Sequence, residues 1–133
     1  MRNGLITLGV ASAIFAIAGA GAQGGDTRSK GQVLFENRCA RCHGIGGDGG
    51  VGLAPPLPGV IGRKIASRDD FLYSAALKAR TGAWTPELVD QYLANPQAFA
   101  PGADMEVPSP DPVERQAIIQ YLTTLPTTAP PRS

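Results

Sequence analysis

The chain has 133 residues, the size of a single domain. A hydrophobic fraction of 43% suits a globular fold, while 17 glycines and 12 prolines predict short helices joined by long loops. The formal net charge of +1 at pH 7 shows no basic or acidic excess, which argues against nucleic acid or an anionic membrane as a partner.

The first 22 residues are predicted to be a Sec-type signal peptide that is cleaved on export. Arg2 supplies the positive start, residues 5–18 form an uncharged and mostly apolar run, and residues 20–22 have the small-residue pattern of a cleavage site. An uncleaved membrane anchor is the alternative, although the run is short for a bilayer span. Cleavage leaves 11 basic and 11 acidic residues in a chain expected to reside in the periplasm.

The rest of the chain divides into three segments. Residues 23–28 read as a polar leader, 29–126 as the domain, and 127–133 as a flexible tail. Residues 44–59 are so rich in glycine and proline that we expect a loop there. No run alternates between polar and apolar residues as a strand would, so the domain is expected to be helical.

A first helix is predicted over residues 27–39, with Asp26 or Thr27 as its N-cap. Its apolar residues Val33, Leu34 and Phe35 would face the core.

Two further helices are predicted before residue 100. Residues 74–80 favour a short helix. Residues 85–95 favour a longer one that starts at Thr85 and Pro86 and stops at Pro96. Residues 98–110 are expected to be loop.

The last helix is the clearest in the sequence. Asp111 is its predicted N-cap, Pro112 its first residue and Glu114 the partner in a capping box, while Pro126 stops it. Its apolar residues recur at helical spacing. They are Val113, Ala117, Ile118, Tyr121, Leu122 and Leu125.

Both cysteines and the only histidine lie within five positions, Cys39-Ala40-Arg41-Cys42-His43. This is the C-x-x-C-H pattern of haem attachment. Two thiols at this spacing add across the vinyl groups on one edge of a porphyrin, and the adjacent imidazole reaches the iron. The motif predicts one covalent haem c, attached at Cys39 and Cys42, with His43 as an axial ligand.

Three other uses of the thiols compete with haem attachment. A structural zinc site usually takes four ligands, and Cys39, Cys42 and His43 give three at most. A thioredoxin-like dithiol follows a strand and precedes a helix, whereas here a helix precedes and a Gly-rich loop follows. A disulfide across two residues is strained and leaves His43 unexplained.

The second axial ligand is predicted by elimination among a methionine, a lysine and no ligand. His43 is the only histidine and Met1 leaves with the signal, so Met105 is the remaining thioether. A lone methionine is more often core filler, but Met105 lies in a Gly/Pro loop between Asp104 and Glu106. We therefore expect Met105 to ligate the iron and to raise its reduction potential.

With these motifs in place, the chain resembles a class I cytochrome c of the bacterial type close to mitochondrial cytochrome c and cytochrome c2. The resemblance covers about residues 31–125 and implies an all-α fold of short helices and long Gly/Pro loops around one haem, with the N- and C-terminal helices crossing. Gly31 and Phe35 match one side of that crossing. The other side is matched by Ile118, Tyr121 and Leu122.

The resemblance also implies the residues of the haem pocket. In the segment APPLPGVIGRK, residues 54–64, the carbonyl of Pro55 would accept the proximal imidazole N–H. The segment PGADM, residues 101–105, matches the P-G-T-K-M of the family, and Arg115 matches a helix arginine that ties to backbone. The remaining implied pocket residues are Arg63 near the propionates, Tyr73 and Trp84 as propionate donors, and Tyr92 beside the methionine sulfur.

Several positions depart from the family pattern. Ala103 replaces a threonine hydroxyl, and Leu77 stands where a polar residue often orders a buried water. Gln97, Ala98 and Asp104 occupy three places of the lysines that usually ring the haem edge. Docking to partners is therefore expected to be mainly apolar and weakly salt-dependent.

The resemblance implies an electron-transfer protein of the respiratory chain rather than an enzyme. We expect a monomeric periplasmic carrier between a quinol-oxidising complex or dehydrogenase and an oxidase or reductase, with no small-molecule substrate. A dedicated cytochrome subunit of a dehydrogenase is the main alternative. A ligand-sensing or peroxidase-like haem protein, whose Met105 leaves the iron, is a weaker one.

Overall fold

The computed structural model describes residues 28–44 and 53–126. The predicted signal peptide, most of the leader, part of the Gly-rich loop and the tail lie outside these ranges. Within them the chain forms α1 Lys30–Arg38, α2 Ala40–His43, α3 Ala75–Lys78, α4 Pro86–Ala94, α5 Pro96–Phe99 and α6 Pro112–Thr124. No β-strand accompanies these described helices, which confirms the all-α prediction. None of the helices in the described ranges is long and apolar enough to cross a membrane.

Helices α4, α5 and α6 begin with the same sequence pattern, a polar N-cap followed by proline at the first helical position. Thr85, Asn95 and Asp111 each accept a hydrogen bond from a backbone N–H of the first turn. Such a bond satisfies a donor that has no partner within the helix. The predicted starts of α4 and α6 are confirmed.

Helix α1 begins later than the sequence analysis expected. Its N-cap is Ser29, whose hydroxyl accepts from the backbone N–H of Gln32 at 3.1 Å. The prediction of Asp26 or Thr27 as the cap is therefore wrong. Ser29 and Gln32 have the Ser-x-x-Gln spacing typical of a capping box, and this local signal outweighs the polar residues upstream.

Helix α5 lies partly in the region predicted to be loop. Asn95 ends α4 and also caps α5, since its side chain accepts from the N–H of Ala98 at 3.0 Å. The chain therefore turns at Asn95 and makes one more helical turn. This turn buries Pro96 and Phe99 before the loop begins.

The core forms where α1 crosses α6, and this predicted contact is confirmed. Phe35 and Ile118 are each 1% exposed, and the Phe35 ring lies 5.3 Å from that of Tyr121. At Gly31 the two backbones come so close that an added Cβ would lie 2.0 Å from the carbonyl oxygen of Ala117. Of the other α1 residues expected in the core, Val33 and Leu34 are only half-buried.

The buried face of α6 differs from the predicted stripe at two positions. Val113 belongs to the predicted apolar stripe but is 63% exposed, whereas Ile119 lies outside that stripe and is 3% exposed. Helix α6 packs against α4 as well as α1. The second neighbour widens the buried arc around Ile119, whereas Val113 lies in the first turn and faces solvent.

Arg115 ties α6 to its surroundings. Its guanidinium donates to the carbonyl oxygens of Ser109 and Pro110 at 3.0 and 2.7 Å and pairs with the Asp90 carboxylate on α4 at 2.8 Å. The resemblance implied such a tie to backbone. It fixes the end of the loop that precedes α6, which also carries Met105.

Candidate functional site

Cys39, Cys42 and His43 are brought together by one helical turn. Cys39 ends α1 and caps α2, and its carbonyl oxygen accepts from the N–H groups of Cys42 and His43 at 3.1 and 2.9 Å. Residues three and four apart lie on the same face of a helix. The two sulfurs and the imidazole are thus presented on one side of the turn, which ends at Gly44 with φ of 73°.

The His43 ring is held by the backbone of the loop opposite. Its Nδ1 donates to the carbonyl oxygen of Pro55 at 2.6 Å. This bond places the proton on Nδ1 and leaves the Nε2 lone pair free for a metal. Burial lowers the pKa of His43, although the Pro55 hydrogen bond opposes this. The neutral ring required of a metal ligand is therefore favoured.

The two thiols differ in their surroundings. Cys42 is exposed, whereas Cys39 is partly buried against the core. Burial raises the pKa of Cys39 to about 11, and the nearby Arg38 guanidinium only partly offsets this. Cys39 in its free form thus keeps its proton at neutral pH.

A cavity of about 240 Å³ lies against this turn, and its lining is mostly apolar. The wall is formed by residues of α1, α2, α3, α4, α6 and the connecting loops. It includes every site residue that the sequence analysis proposed. These are Cys39, Cys42, His43, Pro55, Arg63, Tyr73, Trp84, Tyr92 and Met105.

Arg63 and Trp84 reach the cavity from a paired segment. The N–H of Trp84 donates to the Arg63 carbonyl at 2.9 Å, and the N–H of Gly62 donates to the Trp84 carbonyl at 2.8 Å. The Arg63 guanidinium donates to the carbonyl oxygen of Pro56 at 2.8 Å, which directs the charge along the wall. Burial lowers the pKa of Arg63 and raises that of Tyr73. Arg63 nevertheless stays charged and Tyr73 protonated at neutral pH.

Tyr92 and Met105 border the cavity beside an aromatic cluster. The Tyr92 ring lies 5.4 Å from both Trp84 and Phe99, and Trp84 and Phe99 stack at 5.7 Å. Burial, and then the negative charge of Asp104, raise the pKa of Tyr92 to about 12. Tyr92 therefore offers a neutral hydroxyl to this side of the cavity.

Sequence reasoning missed residues that shape the cavity without being part of a motif. The Arg80 guanidinium lies 3.5 Å above the Phe99 ring and donates to the Phe99 carbonyl, pinning α5 to the chain after α3. Ser109 is 5% exposed and lines the cavity. The Asn95-Pro96 signal could have revealed α5, but no local pattern marks Arg80 or Ser109.

The donor set and the wall fit a haem. An apolar cavity suits the porphyrin plane, while thiols, an imidazole and a thioether at its edge are the groups that attach haem and ligate its iron. Within the described part of the chain the Ser109 hydroxyl is buried with no hydrogen-bond partner. A buried hydroxyl without a partner costs about 1–3 kcal/mol, a cost that a polar atom held within the cavity would relieve.

A small helical fold around one apolar cavity, with a C-x-x-C-H turn in its wall, defines a haem protein of the class I cytochrome type. The chain belongs to the cytochrome c family, whose family model matches residues 29–126.

Two individual relatives and one solved structure support this family assignment. The chain is 45% identical over 103 residues to the cytochrome c-type cyt cy of Rhodobacter capsulatus, covering 77% of this chain and 50% of that protein, so it spans about half of that relative. It is 41% identical over 80 residues to cytochrome c-550 of Ancylobacter novellus, covering 58% and 74%. The solved structure of cytochrome cH from Methylobacterium extorquens superposes with a TM-score of 0.63 at 34% identity, covering 71% of this chain and 95% of that one.

These findings confirm the resemblance stated from the sequence and decide between the uses proposed for the thiols. The cofactor is one covalent haem c, with Cys39 and Cys42 at the C-x-x-C-H position of the family. The protein is a cytochrome c electron carrier that works with redox partners, and it is not an enzyme.

Proposed function

We propose that the protein is a periplasmic one-electron carrier whose haem is attached at Cys39 and Cys42 and ligated by His43 and Met105. One observation carries the proposal: the helical turn with both thiols and the imidazole lines the same cavity as Met105. The lining is mostly apolar, and a dry setting disfavours the extra positive charge of ferric iron. Thioether ligation acts in the same direction, because sulfur stabilises the ferrous state.

When bound, the haem supplies a one-electron couple between ferric and ferrous iron. The chain's own residues hold the ligands in place. Pro55 fixes the tautomer and orientation of His43 through the 2.6 Å hydrogen bond. The loop ahead of α6 carries Met105 and is fastened by Arg115. Ligands held rigidly in this way need little rearrangement when the charge on iron changes, which is the requirement for fast electron transfer.

The polar residues of the wall have a separate role in the proposal. Arg63, Tyr73 and Trp84 would bind the haem propionates, and Tyr92 would lie beside the Met105 sulfur. Arg63 supplies a positive charge, and the partial burial of its guanidinium strengthens its attraction for a carboxylate. Tyr73 and Trp84 supply neutral donors.

The location and the partners are further parts of the proposal. The apolar run and small-residue site at the N-terminus support export, with 1–22 removed, 29–126 as the domain and 127–133 as a tail. We propose a monomer that receives electrons from a quinol-oxidising complex or dehydrogenase and passes them to an oxidase or reductase.

The direct test is an intact mass and a visible spectrum of the protein from the periplasm. We expect a chain that begins near Gln23 and carries the mass of one haem, with the ferric sulfur-to-iron band that reports methionine ligation. The double variant Cys39→Ala/Cys42→Ala should lose the covalent haem entirely. A colourless wild-type protein with both thiols titratable, or one found only in the membrane with residues 1–22 intact, would contradict the proposal.

Electron transfer to the physiological partner should depend only weakly on salt. Gln97, Ala98 and Asp104 occupy three of the lysine positions that the resemblance implies, and the Glu114 carboxylate pairs with Arg38 at 2.7 Å. We expect the second-order rate to fall less than about threefold between roughly 20 and 200 mM salt. Stopped-flow kinetics measure this directly, and a tenfold fall would reject mainly apolar docking.

A permanent subunit of a periplasmic dehydrogenase is the second candidate function. Leu53 and Val107, at the border of the cavity, are 62% and 65% exposed, and Leu72 is 81% exposed. Exposed apolar side chains of this size favour a protein contact. Purification of the untagged protein at native abundance separates the two candidates, because a carrier runs as a monomer and a subunit elutes with its dehydrogenase.

A further inference from the structure

The side chain of Gln97 makes hydrogen bonds to the backbone on both sides of the turn before Met105. Its Nε2 donates to the carbonyl oxygen of Ala103 at 2.7 Å and, more weakly, to that of Met105 at 3.5 Å. Its Oε1 accepts from the N–H of Gly102 at 3.1 Å. One carboxamide therefore joins the start, middle and end of the segment 102–105.

The backbone that carries Gln97 is held in place by buried residues of α5. It lies in α5, whose first turn is capped by Asn95 and whose residues Pro96 and Phe99 are buried. Phe99 is stacked on Trp84 and covered by the Arg80 guanidinium. The backbone beneath Gln97 is thus anchored to the core, so its carboxamide can fasten a loop that contains no regular structure.

The chemistry of the contacts is specific to glutamine. The same carboxamide donates to Ala103 and accepts from Gly102, which needs an N–H₂ and a carbonyl at the end of one side chain. A lysine, which the resemblance implies at this position, has three donors and no acceptor. Glutamine in place of lysine at position 97 therefore removes a positive charge and adds hydrogen bonds that hold the loop.

We infer that Gln97 is a positioning residue that holds the Met105 loop so that the thioether stays on the iron. This inference rests on the proposed ligation by Met105. These three hydrogen bonds of Gln97 all go to backbone atoms, so the side chain acts through the loop. Its loss should leave the fold intact but make Met105 easier to displace.

The test measures how readily free imidazole displaces the methionine in the ferric holoprotein, followed at the sulfur-to-iron band. Gln97→Leu removes all three hydrogen bonds, and we expect imidazole to bind roughly tenfold more tightly. Gln97→Glu keeps the acceptor for Gly102 but turns a carboxylate oxygen toward the Ala103 carbonyl oxygen, and because the two oxygens repel each other we expect a gain at least as large. The matched control is Gln116→Leu, at an exposed position on α6, which should bind imidazole as the wild type does.

Three results would overturn the inference. One is an imidazole affinity of Gln97→Leu within twofold of the wild type. Another is an equal gain in Gln116→Leu. The third is a gain in Gln97→Leu accompanied by an equal loss of global stability in denaturant unfolding, which would make Gln97 a general structural residue. If the wild-type protein lacks the sulfur-to-iron band, ligation by Met105 fails and the inference falls with it. If the band is present and only the Gln97 variants behave like wild type, the positioning role alone is wrong.

Discussion

Replacing Met105 by alanine is expected to abolish the sulfur-to-iron band of the ferric protein and to lower its reduction potential. Axial ligands shift haem potentials over a range of about 0.8 V, and the thioether raises the potential by favouring ferrous iron. The covalent attachment at Cys39 and Cys42 does not depend on Met105, so the variant should keep its haem. A visible spectrum and a redox titration provide the measurement.

The same variant also tests whether the site is closed. With Met105 in place, the reduced protein should bind carbon monoxide poorly at neutral pH, whereas Met105→Ala should bind it readily. Val113→Ala is a suitable control, because it removes an apolar side chain that is 63% exposed at the start of α6. Ready carbon monoxide binding by the wild type would favour a sensing or peroxidase-like protein. A Met105→Ala spectrum equal to that of the wild type would remove Met105 from the ligand set.

Helix ends were predictable from the sequence wherever one residue decided them. Thr85 and Asp111, each followed by proline, cap α4 and α6 as expected because capping depends on atoms within a single turn. The same logic applies to Ser29 and Asn95, which the sequence analysis overlooked in favour of nearby polar residues and an expected loop. Both N-caps could have been predicted, since the capping pattern at Ser29 and at Asn95 is present in the sequence.

Burial was harder to predict, because it depends on which helices become neighbours. Periodicity alone placed Val113 in the apolar stripe of α6 and left out Ile119, although Val113 is exposed and Ile119 is buried. Which residues of α6 are buried depends on its packing against α4 as well as α1. The sequence of α6 alone does not show which helices become its neighbours. The contact of Arg80 with Phe99 was hidden for the same reason.

The residues of the candidate site also differ in how far the sequence alone could predict them. Cys39, Cys42 and His43 were predictable from spacing, because their geometry is that of one helical turn. Met105 lies far along the chain, so elimination and family resemblance were needed to connect it with His43. The Gln97 carboxamide could not be assigned from sequence, since its partners are backbone atoms whose positions depend on how the loop folds.

Replacing Gly31 by alanine should strongly destabilise the protein. The added Cβ would lie 2.0 Å from the carbonyl oxygen of Ala117 and 2.9 Å from the Cβ of Tyr121. A backbone oxygen cannot move aside without shifting α6, so the two helices must separate and the contact between Phe35 and Tyr121 must loosen. We expect a loss of at least about 3 kcal/mol in the free energy of unfolding, at the upper end for overpacked cores. For a domain of this size, the corresponding fall in Tm is about 12 °C or more.

Whether Gly31→Ala destabilises or stabilises the protein separates the effect of packing from that of helix propensity. Alanine favours helix over glycine by about 1 kcal/mol, so propensity alone would make Gly31→Ala more stable. Asn37→Ala, at an exposed position of the same helix, is the matched control and should be neutral or slightly stabilising. Thermal unfolding of the holoproteins, followed by circular dichroism, compares the two variants. Because α1 runs directly into Cys39, a shifted α1 should also reduce the yield of haem-loaded protein. If Gly31→Ala unfolds at or above the wild-type temperature, the close crossing of α1 and α6 is not what holds this fold together.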